Sequence, residues 1–131
     1  MTRRDRGAAA VEMALMLPLL LLLVFGIIDF GRMLNTQIRI TEAAREGARA
    51  VTITNSGSAA STRVAAVLGS TPRTVTITNP CGNAASTADA RVRVDHTFAF
   101  ITPISGLASL FGGTSLGTVQ LSATGVMPCR S

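Results

Sequence analysis

From Ala8 to Ile28 eighteen of twenty-one positions are apolar, and the exceptions are Glu12, Pro18 and Gly26. Met13 to Ile28 contains no charge and includes five consecutive leucines, Leu19 to Leu23. At 1.5 Å per residue the block reaches about 31 Å as a helix, close to the hydrocarbon thickness of a bilayer. Seven Leu, two Ile, one Val and one Phe between Met13 and Ile28 supply about −5 kcal/mol on an insertion scale, which one carboxylate at Glu12 does not cancel. Pro18 is compatible with a membrane helix. The alternative, a buried helix of a soluble core, has little chain left to surround it.

Helical spacing continues beyond the block. Phe30, Met33, Leu34, Ile38 and Ile40, then Ala44, Gly47, Ala48 and Val51, recur mostly at steps of three and four. Glu42 with Arg45, and Glu46 with Arg49, are opposite pairs at i,i+3. One helix of about 65 Å is predicted from Ala8 to Val51. The small stripe of Ala44, Gly47, Ala48 and Val51 permits close packing, either on the protein's own sheet or on another subunit.

Past Val51 the pattern changes. Thr52 to Ala90 holds 13 Ser and Thr in 39 residues. Gly57-Ser58 introduces a second helix over Ala59–Leu68, with Gly69 and Pro72 as stop signals. The pentapeptide Val-Thr-Ile-Thr-Asn occurs at 51–55 and again at 75–79. It reads either as a short βαβ unit or as coincidence, with the first copy ending the long helix. Arg73–Thr78 is a predicted strand, and Pro80–Ala90 a loop holding Cys81. Over Arg91–Phe100, Val92, Val94, His96, Phe98 and Phe100 alternate with Arg91, Arg93, Asp95 and Thr97. Residues 102–117 read as a loop with a helical turn at Leu107–Phe111, and Val119–Met127 as a last strand with Val119, Leu121 and Ala123 on one face. The expected fold is α+β: a long N-terminal transmembrane helix continuing into a small domain with an antiparallel sheet of about three strands. The expected organisation is a basic leader (1–7), a membrane span (8–28), an extracytoplasmic continuation of the helix (29–51) and a small exported domain (52–131).

Charge adds topology. The net charge is +5, from twelve Arg, no Lys and seven acids. Arg3, Arg4 and Arg6 precede the span, whereas Asp29 and Arg32 nearly balance beyond it. The positive-inside rule places the N-terminus in the cytoplasm and residues 29–131 outside. A cleaved signal peptide is the competing reading, but the apolar run is long and ends in Ile27-Ile28-Asp29-Phe30 without a small-x-small site. The remaining Arg are dispersed and the chain has no Tyr or Trp for base stacking, which argues against nucleic acid as a partner. Cys81 and Cys129 either form a disulfide in an oxidising compartment or remain free thiols in a reducing one.

Glu12 is costly inside a membrane segment. It either snorkels toward headgroups or Arg6, or it has a partner. Gly7 is followed by Ala8-Ala9-Ala10-Val11 and Glu12. A cut after Gly7 would create an amine at Ala8, about 6 Å along the axis from Glu12. In a helical stack the carboxylate of one subunit would pair with the amine of the next. Catalytic chemistry is not legible. His96, on an apolar face, reads as a core or edge histidine, and Asp89 and Asp95 have no fixed geometry as a pair. No HExxH or P-loop is present. No catalytic residue, metal site, cofactor or small-molecule substrate is expected.

Residues 6–50 resemble the N-terminus of TadE-like proteins, pseudopilins of the Tad/Flp tight-adherence pilus machinery. The resemblance lies in Gly-Ala-Ala-Ala-Val-Glu at 7–12, Leu-Pro-Leu-Leu at 17–20, Gly-Ile-Ile-Asp-Phe-Gly-Arg at 26–32 and Ala-Ala-Arg-Glu-Gly-Ala-Arg-Ala at 43–50. It implies a non-catalytic, single-pass protein of the cytoplasmic membrane, cut between Gly7 and Ala8 by an aspartyl prepilin peptidase. It also implies partners among other pilins and the Tad assembly machinery, with Glu12 registering subunits. Met13 stands where Flp pilins carry Tyr; TadE-like members vary there. The alternative is an uncleaved, membrane-anchored exported binding module unrelated to pili.

Overall fold

A computed structural model describes residues 3–82, 88–110, 112–113 and 117–129. The elements are α1 (Arg3–Thr54), α2 (Gly57–Leu68), β1 (Thr74–Thr78), β2 (Ala90–Ala99), α3 (Ile104–Leu110) and β3 (Thr118–Met127). A long apolar helix followed by a three-stranded antiparallel sheet is the α+β arrangement expected from the sequence. The chain forms two compact units: Met1–Arg32 with Phe100–Gly117, and Met33–Ala99 with Thr118–Ser131.

In the second unit the sheet order is β1-β2-β3, with β2 central. Val75 pairs with Val94 and Ile77 with Val92, while Val92 faces Gly125 and Val94 faces Ala123 on the other side. One face of the sheet carries Val92, Val94, Phe98 and Leu121, all buried. Against it stand Ile40, Ala43, Ala44, Ala48 and Val51 of α1, with Ala60, Val64 and Leu68 of α2 completing the core. Alternation places Thr76, Arg93 and Thr124 in one exposed cross-strand row on the other face. Such one-sided burial is normal for an antiparallel sheet. On that face Arg93 Nε donates to both Asp95 carboxylate oxygens, at 2.9 and 3.1 Å.

Two positions show how closely α1 approaches the core. A Cβ on Gly47 would stand 3.0 Å from Val64 Cγ2 and 3.1 Å from Val92 Cγ1. A Cβ on Gly125 would lie 2.2 Å from the Ala44 carbonyl oxygen and 2.8 Å from the Arg45 nitrogen. Glycine inside a strand is unfavourable unless a backbone must come close; here one does. Gln37 adds a hydrogen bond from Nε2 to the Ser122 carbonyl at 3.0 Å.

The repeated pentapeptide has two structures. Its first copy is the last turn of α1, where Thr52 and Thr54 donate to the carbonyls of Arg49 and Ala50 at 2.9 and 2.8 Å. Its second copy is β1. The βαβ reading is therefore excluded, since Val51–Thr54 is helical. Both copies end in asparagine with positive φ, 52° at Asn55 and 62° at Asn79, a conformation Asn tolerates better than most residues. The long helix also runs three residues past the predicted Val51, because its hydroxyls bond back to its own carbonyls rather than competing with them.

Cys81 and Cys129 form a disulfide, with Cα atoms 5.6 Å apart. It joins the segment after β1 to the end of β3. Of the loop expected over Pro80–Ala90, residues 83–87 lie outside the described residues. The helical turn expected at Leu107–Phe111 is a longer element, α3, starting at Ile104. Pro103 sets that start: its carbonyl accepts from Leu107 N at 2.9 Å. Phe111 lies outside the described residues.

Candidate functional site

The apolar half of α1 is the chemically distinctive surface of the first unit. Leu15, Met16, Leu19, Leu20 and Leu23 are all exposed, up to 74% for Leu15. Val11, Ile27 and Ile28 are exposed as well, so the helix is apolar around its whole circumference. A helix of that kind has no face suited to water and is covered by lipid or by other helices. It is long and apolar enough to cross a membrane. Pro18 lies inside it.

The residues expected to act in processing and registration sit near its start. Gly7 has open space where a side chain would stand. Ala8 and Glu12 are exposed. Arg6 is exposed on the same helix; Arg3 and Arg4 belong to its first turn, and their side chains lie outside those described. The stripe of Ala44, Gly47, Ala48 and Val51 occupies a different place. All four are buried within the second unit, so the structure brings them against the protein's own sheet and α2.

Asp29 has a role that no local spacing announces. It follows the apolar block by one residue and is 1% exposed. Its carboxylate accepts from Arg32 Nη1 at 3.2 Å, Ile101 N at 3.4 Å and Thr102 N at 3.3 Å. The Thr102 hydroxyl also donates to it. That hydroxyl has the largest influence on its titration; burial opposes it, and the two backbone N–H groups and Arg32 assist it. The net effect holds the Asp29 carboxyl below its ordinary value of 3.8. Buried carboxylates are tolerated when several donors satisfy them. In the sequence Asp29 reads as a flanking charge, because Ile101 and Thr102 are more than seventy positions away.

Residues 7–49 match the TadE-like protein family. This agrees with the resemblance carried by residues 6–50. No curated protein and no solved structure matches the chain. The TadE-like segment covers about a third of the chain. It contains the apolar half of α1, Glu12, Asp29 and three of the four stripe residues, and it ends before α2 and the sheet. TadE-like proteins are structural components of pilus systems rather than enzymes.

His96 is half-buried on the central strand β2, with Nδ1 2.6 Å from the Pro72 carbonyl oxygen. Among the described residues no three His, Cys, Asp or Glu side chains converge as a metal site.

Proposed function

We propose that the protein is a minor pilin, or pseudopilin, that acts in assembly of a Tad/Flp-type surface pilus. The observation that carries this reading is the coincidence of two features. The TadE-like match spans 7–49, and over that stretch a helix apolar on every side continues without a break into the helix of a folded domain. Arg3, Arg4 and Arg6 keep the leader in the cytoplasm, and the disulfide-bonded domain lies outside. A prepilin peptidase cuts between Gly7 and Ala8. The exposed Glu12 then pairs with the Ala8 amine of a neighbouring subunit, and the apolar helix moves from lipid into contact with other pilins.

The deciding experiment is deletion and complementation in a strain carrying a Tad system. Loss of surface pili on deletion, restored by the wild-type chain but not by Glu12→Arg, is expected. Normal piliation in the deletion strain would overturn the pilus reading and favour a membrane-anchored binding module. Intact-mass measurement of the membrane-purified protein tests processing separately: the mass of residues 8–131 is expected, and that of 1–131 would remove the cleavage step alone.

A further inference from the structure

Beyond β2 the chain returns to the apolar half of α1, and the contact fixes its depth. A Cβ on Gly26 would stand 3.7 Å from Ile104 Cδ1, and Gly26 lies inside the uncharged run Met13–Ile28. One turn along α1, about 4.5 Å away, Asp29 holds the backbone N–H groups of Ile101 and Thr102. We propose that residues 101–110 form a second membrane contact, an interfacial foot lodged at the headgroup and upper acyl level beside the span. The proposal rests on the reading of 8–28 as membrane-spanning: wherever the bilayer places Gly26, it places Ile104 as well.

The chemistry of the segment suits that depth. Ile101 is 73% and Leu110 79% exposed, and Ile27 and Phe30 on α1 are exposed as well. From Thr97 through Cys129 the sequence contains no Asp, Glu, Lys or Arg. Interfacial segments bury their apolar side chains roughly 5–10 Å into the headgroup and acyl boundary. Backbone N–H groups at that level need partners within the protein. Asp29 supplies them for Ile101 and Thr102, so its carboxylate is the clasp of the foot. The same lipid that covers the outer end of the span is thus continuous with the surface presented by Ile101 and Leu110. A second copy of the chain is the competing occupant.

The absence of Trp and Tyr allows a single introduced tryptophan to report its surroundings. Full-length Leu110→Trp, Leu20→Trp and Thr76→Trp proteins are reconstituted in phosphatidylcholine–phosphatidylglycerol vesicles, with or without phospholipid brominated on the upper acyl chain. Leu110→Trp should emit at short wavelength and lose about half its intensity to the brominated lipid, as an interfacial residue does. Thr76→Trp, on the polar face of the sheet, should emit as in water and remain unquenched. Quenching at Leu20 with water-like, unquenched emission at Leu110 would overturn the foot and leave the span standing. Failure at Leu20 would overturn both. Short-wavelength emission at Leu110 that is unquenched, and reverts on dilution of protein in lipid, would assign the surface to a second copy and overturn the lipid contact. Adding Asp29→Ala to Leu110→Trp should weaken quenching; unchanged quenching would remove Asp29 as the clasp.

Discussion

Replacing Gly125 by alanine tests whether backbone contact sets the distance between α1 and the sheet. The added Cβ would meet the Ala44 carbonyl oxygen at 2.2 Å, whereas ordinary contact begins at 3.4 Å, so α1 must retreat by about 1.2 Å. No rotamer change relieves this, because the obstructing atoms are backbone. A gap near 1 Å forfeits up to about half of the dispersion energy of the atoms that separate. Ile40, Ala48 and Val51 all depend on that seam for their burial. Overpacking of a core typically costs about 1–3 kcal/mol, and a rigid obstruction belongs at the upper end. For a folded unit of this size about 3 kcal/mol lowers Tm by on the order of 15 °C. Gly47→Ala is the matched control. Its nearest neighbours, at 3.0 and 3.1 Å, are methyl groups of Val64 and Val92. These yield by small rotations, and the exchange gains about 1 kcal/mol of helix propensity. The two variants, as full-length proteins in detergent, would be compared by thermal unfolding followed by circular dichroism. If Gly125→Ala melts within a few degrees of Gly47→Ala, backbone contact does not set the spacing.

Other outcomes follow from separate features. Cys81→Ser with Cys129→Ser should destabilise the second unit by up to about 4 kcal/mol, the loop-closure value for residues 48 apart; denaturant unfolding with and without reductant would measure it, and equal midpoints would contradict it. Asp29 titrates below 3.8, so its folded-state pKa is depressed: its contribution is complete above that value and is lost as pH falls through the lowered one. Leu110→Trp emission should therefore hold steady from neutrality to about pH 4 and change only in stronger acid; a transition near neutrality would assign control to another group. Leu21→Arg, at the centre of the uncharged run, should reduce membrane insertion by about 3 kcal/mol in a translocon assay, and insertion at the wild-type level would contradict the span.

Most of the architecture could be read from periodicity, because the two patterns involved are strong. Eighteen apolar residues in twenty-one admit few alternatives, and the alternation from Arg91 to Phe100 marks a half-buried strand. Boundaries were less legible. The end of α1 depends on hydroxyls of Thr52 and Thr54 that can bond either to their own helix or away from it. Long-range pairings were not legible at all. Asp29 finds Thr102 only once β2 has folded back, and no local pattern announces a carboxylate with a distant partner. Gly125 did carry a signal, since glycine inside an otherwise regular strand marks close backbone approach. The stripe of Ala44, Gly47 and Ala48 was visible from spacing, but what it faces is decided by β2 and α2.

The disulfide has a consequence for detecting damage. Cys81 and Cys129 close a covalent ring that contains β2, α3 and β3. A single protease cut within that ring, α3 included, leaves both fragments linked and the mass nearly unchanged until reductant is added. Non-reducing electrophoresis would therefore score a nicked molecule as intact, and only paired reduced and non-reduced lanes would reveal how often the surface has been breached.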